Sequence, residues 1–173
     1  MQLNIKIALL IILIIYIYSY YNYPKRTQLI QTRLDNFNYD VLYNRQPVII
    51  QDKDIELAQL QKKWFYLNIV TPEFIIPKQP QAQIQLQSQP NDKDIWHTNK
   101  FKYLLLQAQE SGEILLYPAS KKMISGIPDP NESLLVIQIS RGQLIILPFH
   151  WKYLLNIDVK CLGVNDLVSY FLP

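Results

Sequence analysis

The chain has one cysteine, two histidines and four glycines, and each scarcity closes a route. With Cys161 alone, no intrachain disulfide can form, so a packed core must hold the fold. Two histidines, His97 and His150, leave little material for a metal centre built on imidazole. So few glycines mean that most turns rest on the 11 prolines and on Asn and Asp. Net charge is also scarce once it is located. The formal value is +3, but Lys6, Lys25 and Arg26 flank one N-terminal segment and supply all of it. From Thr27 onward, basic and acidic residues are equal, 14 of each. A neutral domain lacks the electrostatic footprint of a nucleic-acid binder.

What the chain does have is a long apolar run. Residues 7–24 hold no charge, and Ile7 to Ile15 is unbroken Ile, Leu and Ala. Roughly 20 apolar residues in a helix cross the hydrocarbon layer. Tyr16, Tyr18, Tyr20, Tyr21 and Tyr23 crowd the C-terminal end, where tyrosines suit the headgroup level, and Pro24, Lys25 and Arg26 end the span. A single-pass N-terminal anchor in the bilayer through residues 7–24 is expected. A cleaved signal peptide would need a small-residue site, and Ser19 among tyrosines is the one candidate. Lys25, Arg26 and Arg33 after the span stand against Lys6 and the α-amine before it, a small excess that leaves the side of the domain open.

The organisation expected is anchor and flanks over 1–26, a linker with a short amphipathic helix over 27–44, and a β domain over 45–173. Ile30, Leu34 and Phe37 have the helical spacing that suggests the linker helix. Residues 47–50 read as a short buried strand. Asp52 to Asp54 offer an N-cap for a helix over 55–64. Residues 79–89 alternate Gln with other residues between Pro80 and Pro90, which reads as an edge strand. Strands are then expected at 103–107, 113–117, 134–139, 143–147 and 152–159. Glu110-Ser111-Gly112, Pro128 to Asn131 and Arg141-Gly142 supply turns between them. Many short strands predict a β-sandwich or barrel.

Two segments carry a resemblance. His97-Thr98-Asn99 precedes Leu104-Leu105-Leu106-Gln107 and Leu116-Tyr117-Pro118. Farther on stands Gly142-Gln143-Leu144-Ile145-Ile146-Leu147-Pro148-Phe149-His150-Trp151-Lys152-Tyr153. Arg45-Gln46-Pro47-Val48-Ile49-Ile50 fits a front end. Together, over roughly residues 40–160, they resemble the cupin-like, JmjC-type double-stranded β-helix family. That resemblance implies a jelly-roll-type barrel with a few flanking helices. In active members it implies Fe(II) held by two His and one carboxylate, with 2-oxoglutarate as co-substrate. Carried over position by position, His97 matches the first ligand, Asn99 stands at the carboxylate and Tyr153 at the second histidine. Tyr103 replaces an Asn, and Gly112 falls at the lysine that grips 2-oxoglutarate in some members. His150 lies three residues from the expected ligand position.

Other candidates have plainer readings. Asp92, Asp94, Glu110 and Glu113 read as loop carboxylates, Trp151 as packing, and Cys161 as a buried thiol. Asn131-Glu132-Ser133 is a glycosylation sequon that matters only in a lumen. Three functions follow. The first is a catalytically inactive, membrane-anchored cupin-like domain with a structural or interaction role, a protein partner and no cofactor. The composition suits an AT-rich coding sequence, of which large DNA viruses of protists are one source, so a virion membrane protein is one form of this reading. The second is an Fe(II)/2-oxoglutarate oxygenase with a substituted metal site. The third is a small-molecule-binding barrel whose pocket would be lined by Tyr103, Trp151 and Tyr153.

Overall fold

A computed structural model describes residues 2–24, 26–38, 40–53, 55–57, 95–164 and 169, leaving aside the side chains of 2–4 and 20. The chain begins with helix α1, Gln2–Tyr21. Its run of Ile and Leu has no polar face, and Leu9, Leu10, Ile11, Ile12, Leu13, Ile14 and Ile15 are all exposed. Among the described residues no helix is long and apolar enough to cross a membrane.

The rest is mainly β. The strands are β1 Ile30–Thr32, β2 Val48–Ile50, β3 His97–Thr98, β4 Tyr103–Ala108, β5 Gly112–Tyr117, β6 Met123–Ile124, β7 Ile127–Pro128, β8 Leu135–Ile139, β9 Leu144–Pro148, β10 Lys152–Leu155 and β11 Val159–Val164. One sheet has the order β1-β2-β9-β4-β11, the facing sheet β3-β10-β5-β8, and β6 and β7 form a separate hairpin. Only β1 and β2 pair in parallel; the other described pairs are antiparallel.

The core lies between the two sheets. Leu104, Leu106, Ile145, Leu147 and Cys161 of the larger sheet meet Ile114, Leu116, Ile137, Tyr153 and Leu155 of the smaller one. The larger sheet is also covered on its outer face, where Leu105, Leu144, Ile146 and Leu162 pack with Leu42 and Ile55. Burial on both faces explains why β4 and β9 read as continuous apolar runs. The smaller sheet has one wet face. Strand β8 therefore alternates, with Val136 and Gln138 outward and Ile137 and Ile139 inward.

The expected linker helix over 27–44 is not formed. Ile30 alternates with Gln31 and Thr32 as a strand paired to β2, and a turn follows. Among the described residues of that stretch the only helix is α2, Asp40–Tyr43. Asn38 accounts for its late start: Asn38 Oδ1 accepts the Asp40 N–H and Asn38 O accepts from Val41 N. Ile30, Leu34 and Phe37 share the outer-face cluster, but from three different local conformations. The expected strand over 152–159 is two strands. Asn156 to Asp158 interrupts it and carries the chain from the smaller sheet to the larger. Asp52 does not stand as a simple cap; its Oδ2 accepts the Leu34 N–H at 2.6 Å. Most of the expected helix over 55–64, and the Gln strand over 79–89, lie outside the described residues.

Two glycines are under different constraints. A Cβ on Gly163 would enter the Phe101 ring, whereas one on Gly126 would meet nothing. Gly126 (φ 82°) and Ser125 (φ 54°) form the two-residue turn of the β6–β7 hairpin. Gly163→Ala should therefore cost about 1–3 kcal/mol by overpacking, and Gly126→Ala about 1 kcal/mol by its backbone conformation. Thermal unfolding of the two variants under identical conditions checks the order.

Candidate functional site

The positions singled out by the resemblance cluster where β3, β10 and the end of β9 meet. His97 and Tyr153 are register partners across β3 and β10. Their rings stack with centroids 5.5 Å apart and an interplanar angle of 28°. Tyr153 is buried in the inter-sheet core. Burial, and then the neighbouring Cys161 thiol, push its phenol well above the usual tyrosine range. A phenol so held stays neutral and is a poor metal ligand.

Asn99 lies two residues beyond His97 and is 1% exposed. Its side chain is committed elsewhere. Nδ2 donates to Leu147 O at 2.9 Å and to Pro148 O at 2.8 Å, while Oδ1 accepts the Phe101 N–H at 2.9 Å. Both amide hydrogens are thereby used. The backbone closes the same joint: Asn99 N donates to Trp151 O, and His150 N donates to Asn99 O, each at 2.8 Å. Asn99 therefore stitches the loop after β3 to the turn between β9 and β10.

The remaining positions do not join His97. Tyr103 packs against the outer-face cluster, on the opposite side of its sheet from Tyr153. Gly112 opens β5, and a Cβ there would run into the Ile157 side chain, so the position has no room for a lysine stem. Trp151 is buried, and its indole N–H donates to Arg45 O at 3.1 Å. Tyr103, Trp151 and Tyr153 do not line one cavity. Glu110 accepts from Asp158 N and Glu113 from Gln138 Nε2, so neither forms an acid pair. Asp92 and Asp94 lie outside the described residues. Among the described residues no group of three His, Cys, Asp or Glu could hold a metal ion. The donors at His97, Asn99 and Tyr153 do not fit Fe(II): one imidazole remains, beside a neutral phenol and an amide turned to backbone carbonyls.

His150 is not on a strand at all. It sits in the β9–β10 turn with φ 62° and stacks on Phe149, ring centroids 3.8 Å apart. It faces the end of α1: Nδ1 shares a hydrogen bond with Tyr23 Oη at 3.0 Å, and Tyr21 meets the ring edge-on. Buried Gln46 braces the connection that follows, accepting from Gln28 N and donating to Arg26 O. This docking of the helix end on the β9–β10 turn had no signal in local sequence, because its partners lie more than a hundred residues apart.

No family model matches the chain, and neither a curated protein nor a solved structure matches it.

Two tests follow from the geometry. Asn99→Asp would place a carboxylate here but replace the amide NH2 by one oxygen facing the Leu147 and Pro148 carbonyls. It should lower stability by about 2–4 kcal/mol and confer no iron binding, as read by urea unfolding and metal analysis. Burial and Lys152 hold His150 below the usual histidine range, so the unfolded chain takes up that proton first. Stability should fall as pH drops from the ordinary histidine range to the lowered folded value, and level off below it. His150→Asn, which tolerates the left-handed backbone, should flatten that part of the profile in thermal melts.

Proposed function

We propose that this is a single-pass, membrane-anchored, cupin-like protein without catalysis, whose role is structural or to hold an interaction surface at a bilayer. The observation that carries the first half is α1. Its apolar side chains are exposed around the whole helix, which an aqueous monomer rarely tolerates. The helix runs over 20 residues, about 30 Å, and its uncharged part begins after Lys6. The tyrosines at its C-terminal end then fall at headgroup depth, where Tyr21 and Tyr23 meet the domain.

The cupin-like reading draws support from connectivity. The chain crosses between the sheets at β3 to β4, β4 to β5, β8 to β9, β9 to β10 and β10 to β11. Such to-and-fro winding is that of jelly-roll barrels. The non-catalytic reading draws support from Asn99, whose amide is part of the scaffold where the family would use a carboxylate. The oxygenase alternative lacks a donor set at these positions. The small-molecule alternative lacks space between the sheets, where Ile and Leu fill the interior.

The test is extraction of the full chain from membranes. It should resist alkaline carbonate and float with lipid vesicles. Ile11→Asp with Ile12→Asp, at about 2.5–3.5 kcal/mol per buried charge, should release it. A chain that washes off in carbonate would overturn the anchoring. Stoichiometric iron that His97→Ala removes would overturn the non-catalytic reading.

A further inference from the structure

We infer that the end of α2, through Tyr43, is a second contact of this chain with the lipid headgroup layer, an inference that rests on the anchored reading above. Tyr43 is 78% exposed, more than any other large hydrophobic side chain among the described residues. Its neighbour Leu42 is buried and packs on the outer face of the larger sheet. The short helix thus turns one residue into the core and the next outward.

The backbone fixes this corner on both sides. Asn38 Oδ1 accepts the Asp40 N–H at the start of α2. Just beyond its end, Arg45 takes the left-handed φ of 52° and its N–H donates to Leu42 O, as in the left-handed closure of many helices. The Arg45 carbonyl accepts the Trp151 indole N–H, which ties the corner to the core. Tyr43 is therefore an exposed ring on a held backbone.

Position beside α1 sets the partner. Tyr43 lines one cleft with Tyr16 and Ser19 of α1, and so lies at the depth of those helix residues. From Lys6 to Tyr16 the helix rises about 15 Å, and from Gln2 about 21 Å, against roughly 30 Å of hydrocarbon. A span this short is met by local thinning of the bilayer or by Lys6 reaching back to the surface. In both cases the lipid surface comes up to Tyr16, and so to Tyr43.

The chemistry suits that layer. A tyrosine buries its ring at the membrane interface and keeps its hydroxyl wet. Tyr18 and Tyr21 of α1 are exposed at the same end, so two separate parts of the chain contribute to one aromatic belt. Arg45 and Lys102, on the cleft wall, are each engaged with neighbours, so they bring no bare charge to the contact.

The test places a nitroxide at residue 43 (Tyr43→Cys) of the full chain in phosphatidylcholine vesicles. It reads collisions with oxygen, which concentrates in lipid, and with a nickel chelate, which stays in water. Cys161, the one native thiol, is buried, and the unsubstituted chain treated alike gives its background. The label at 43 should lose nickel collisions and gain oxygen collisions, as should one at Tyr18→Cys. Asn44→Cys, also exposed, should do the same and reads this corner with the tyrosine kept. A label at Arg141→Cys should stay wet, because Arg141 is exposed in the turn before β9, whose far end, Pro148, lines the cleft. A lipid-exposed label at 18 with wet labels at 43 and 44 overturns this inference and leaves the anchoring intact. Wet labels at 18, 43 and 44 overturn the anchoring, and the inference with it. A label at 43 shielded from both oxygen and nickel overturns the lipid assignment in favour of a protein contact.

Discussion

One buried amide holds the two ends of this fold together. Asn99 gives both its side-chain hydrogens to consecutive carbonyls at the end of β9 and takes the Phe101 N–H with its oxygen. Its backbone exchanges hydrogen bonds with Trp151 and His150. The two Nδ2 bonds are buried, so leaving either unmade costs the desolvation of its partner. The β9–β10 turn can take its shape only if Asn99 is in place. From that turn Trp151 reaches Arg45, and His150 reaches Tyr23. The chain of contacts thus runs from the heart of the sandwich to the end of α1.

This arrangement changes what the resembling positions can do. A carboxylate at residue 99 would face two carbonyl oxygens, and a lysine at residue 112 would meet Ile157. Tyr153 belongs to the core, its phenol kept neutral by burial. Asn99 and Tyr153 serve turn geometry and packing here.

The sequence was legible where burial was simple. The strands β2, β4, β5 and β9 could be read to within a residue or two, because runs such as Leu104-Leu105-Leu106 suit strands covered on both faces. It misled where one hydrophobic cluster is reached from several local conformations. Ile30, Leu34 and Phe37 have helical spacing, yet Ile30 is in a strand and Asn38 delays the helix. The break at Asn156 was hidden because apolar residues continue on both sides while the chain changes sheets. At the site, the motif order left open whether His97 and Tyr153 meet; the structure pairs them across β3 and β10. The commitment of Asn99 was not foreseeable, since its partners Leu147 and Pro148 are strand carbonyls that any sequence would provide. The role of His150 was equally hidden, because its partner Tyr23 lies 127 residues away, just after α1.

The central claim is that Asn99 is a scaffold clamp and not a ligand. Nuclear magnetic resonance of the full ¹⁵N-labelled chain in lipid nanodiscs, titrated with paramagnetic Co(II) in place of Fe(II), tests it directly. The Asn99 side-chain amide pair should be slow to exchange with water and should keep its line width through one equivalent of metal. Saturable broadening centred on Asn99 and His97 at one equivalent would contradict the account.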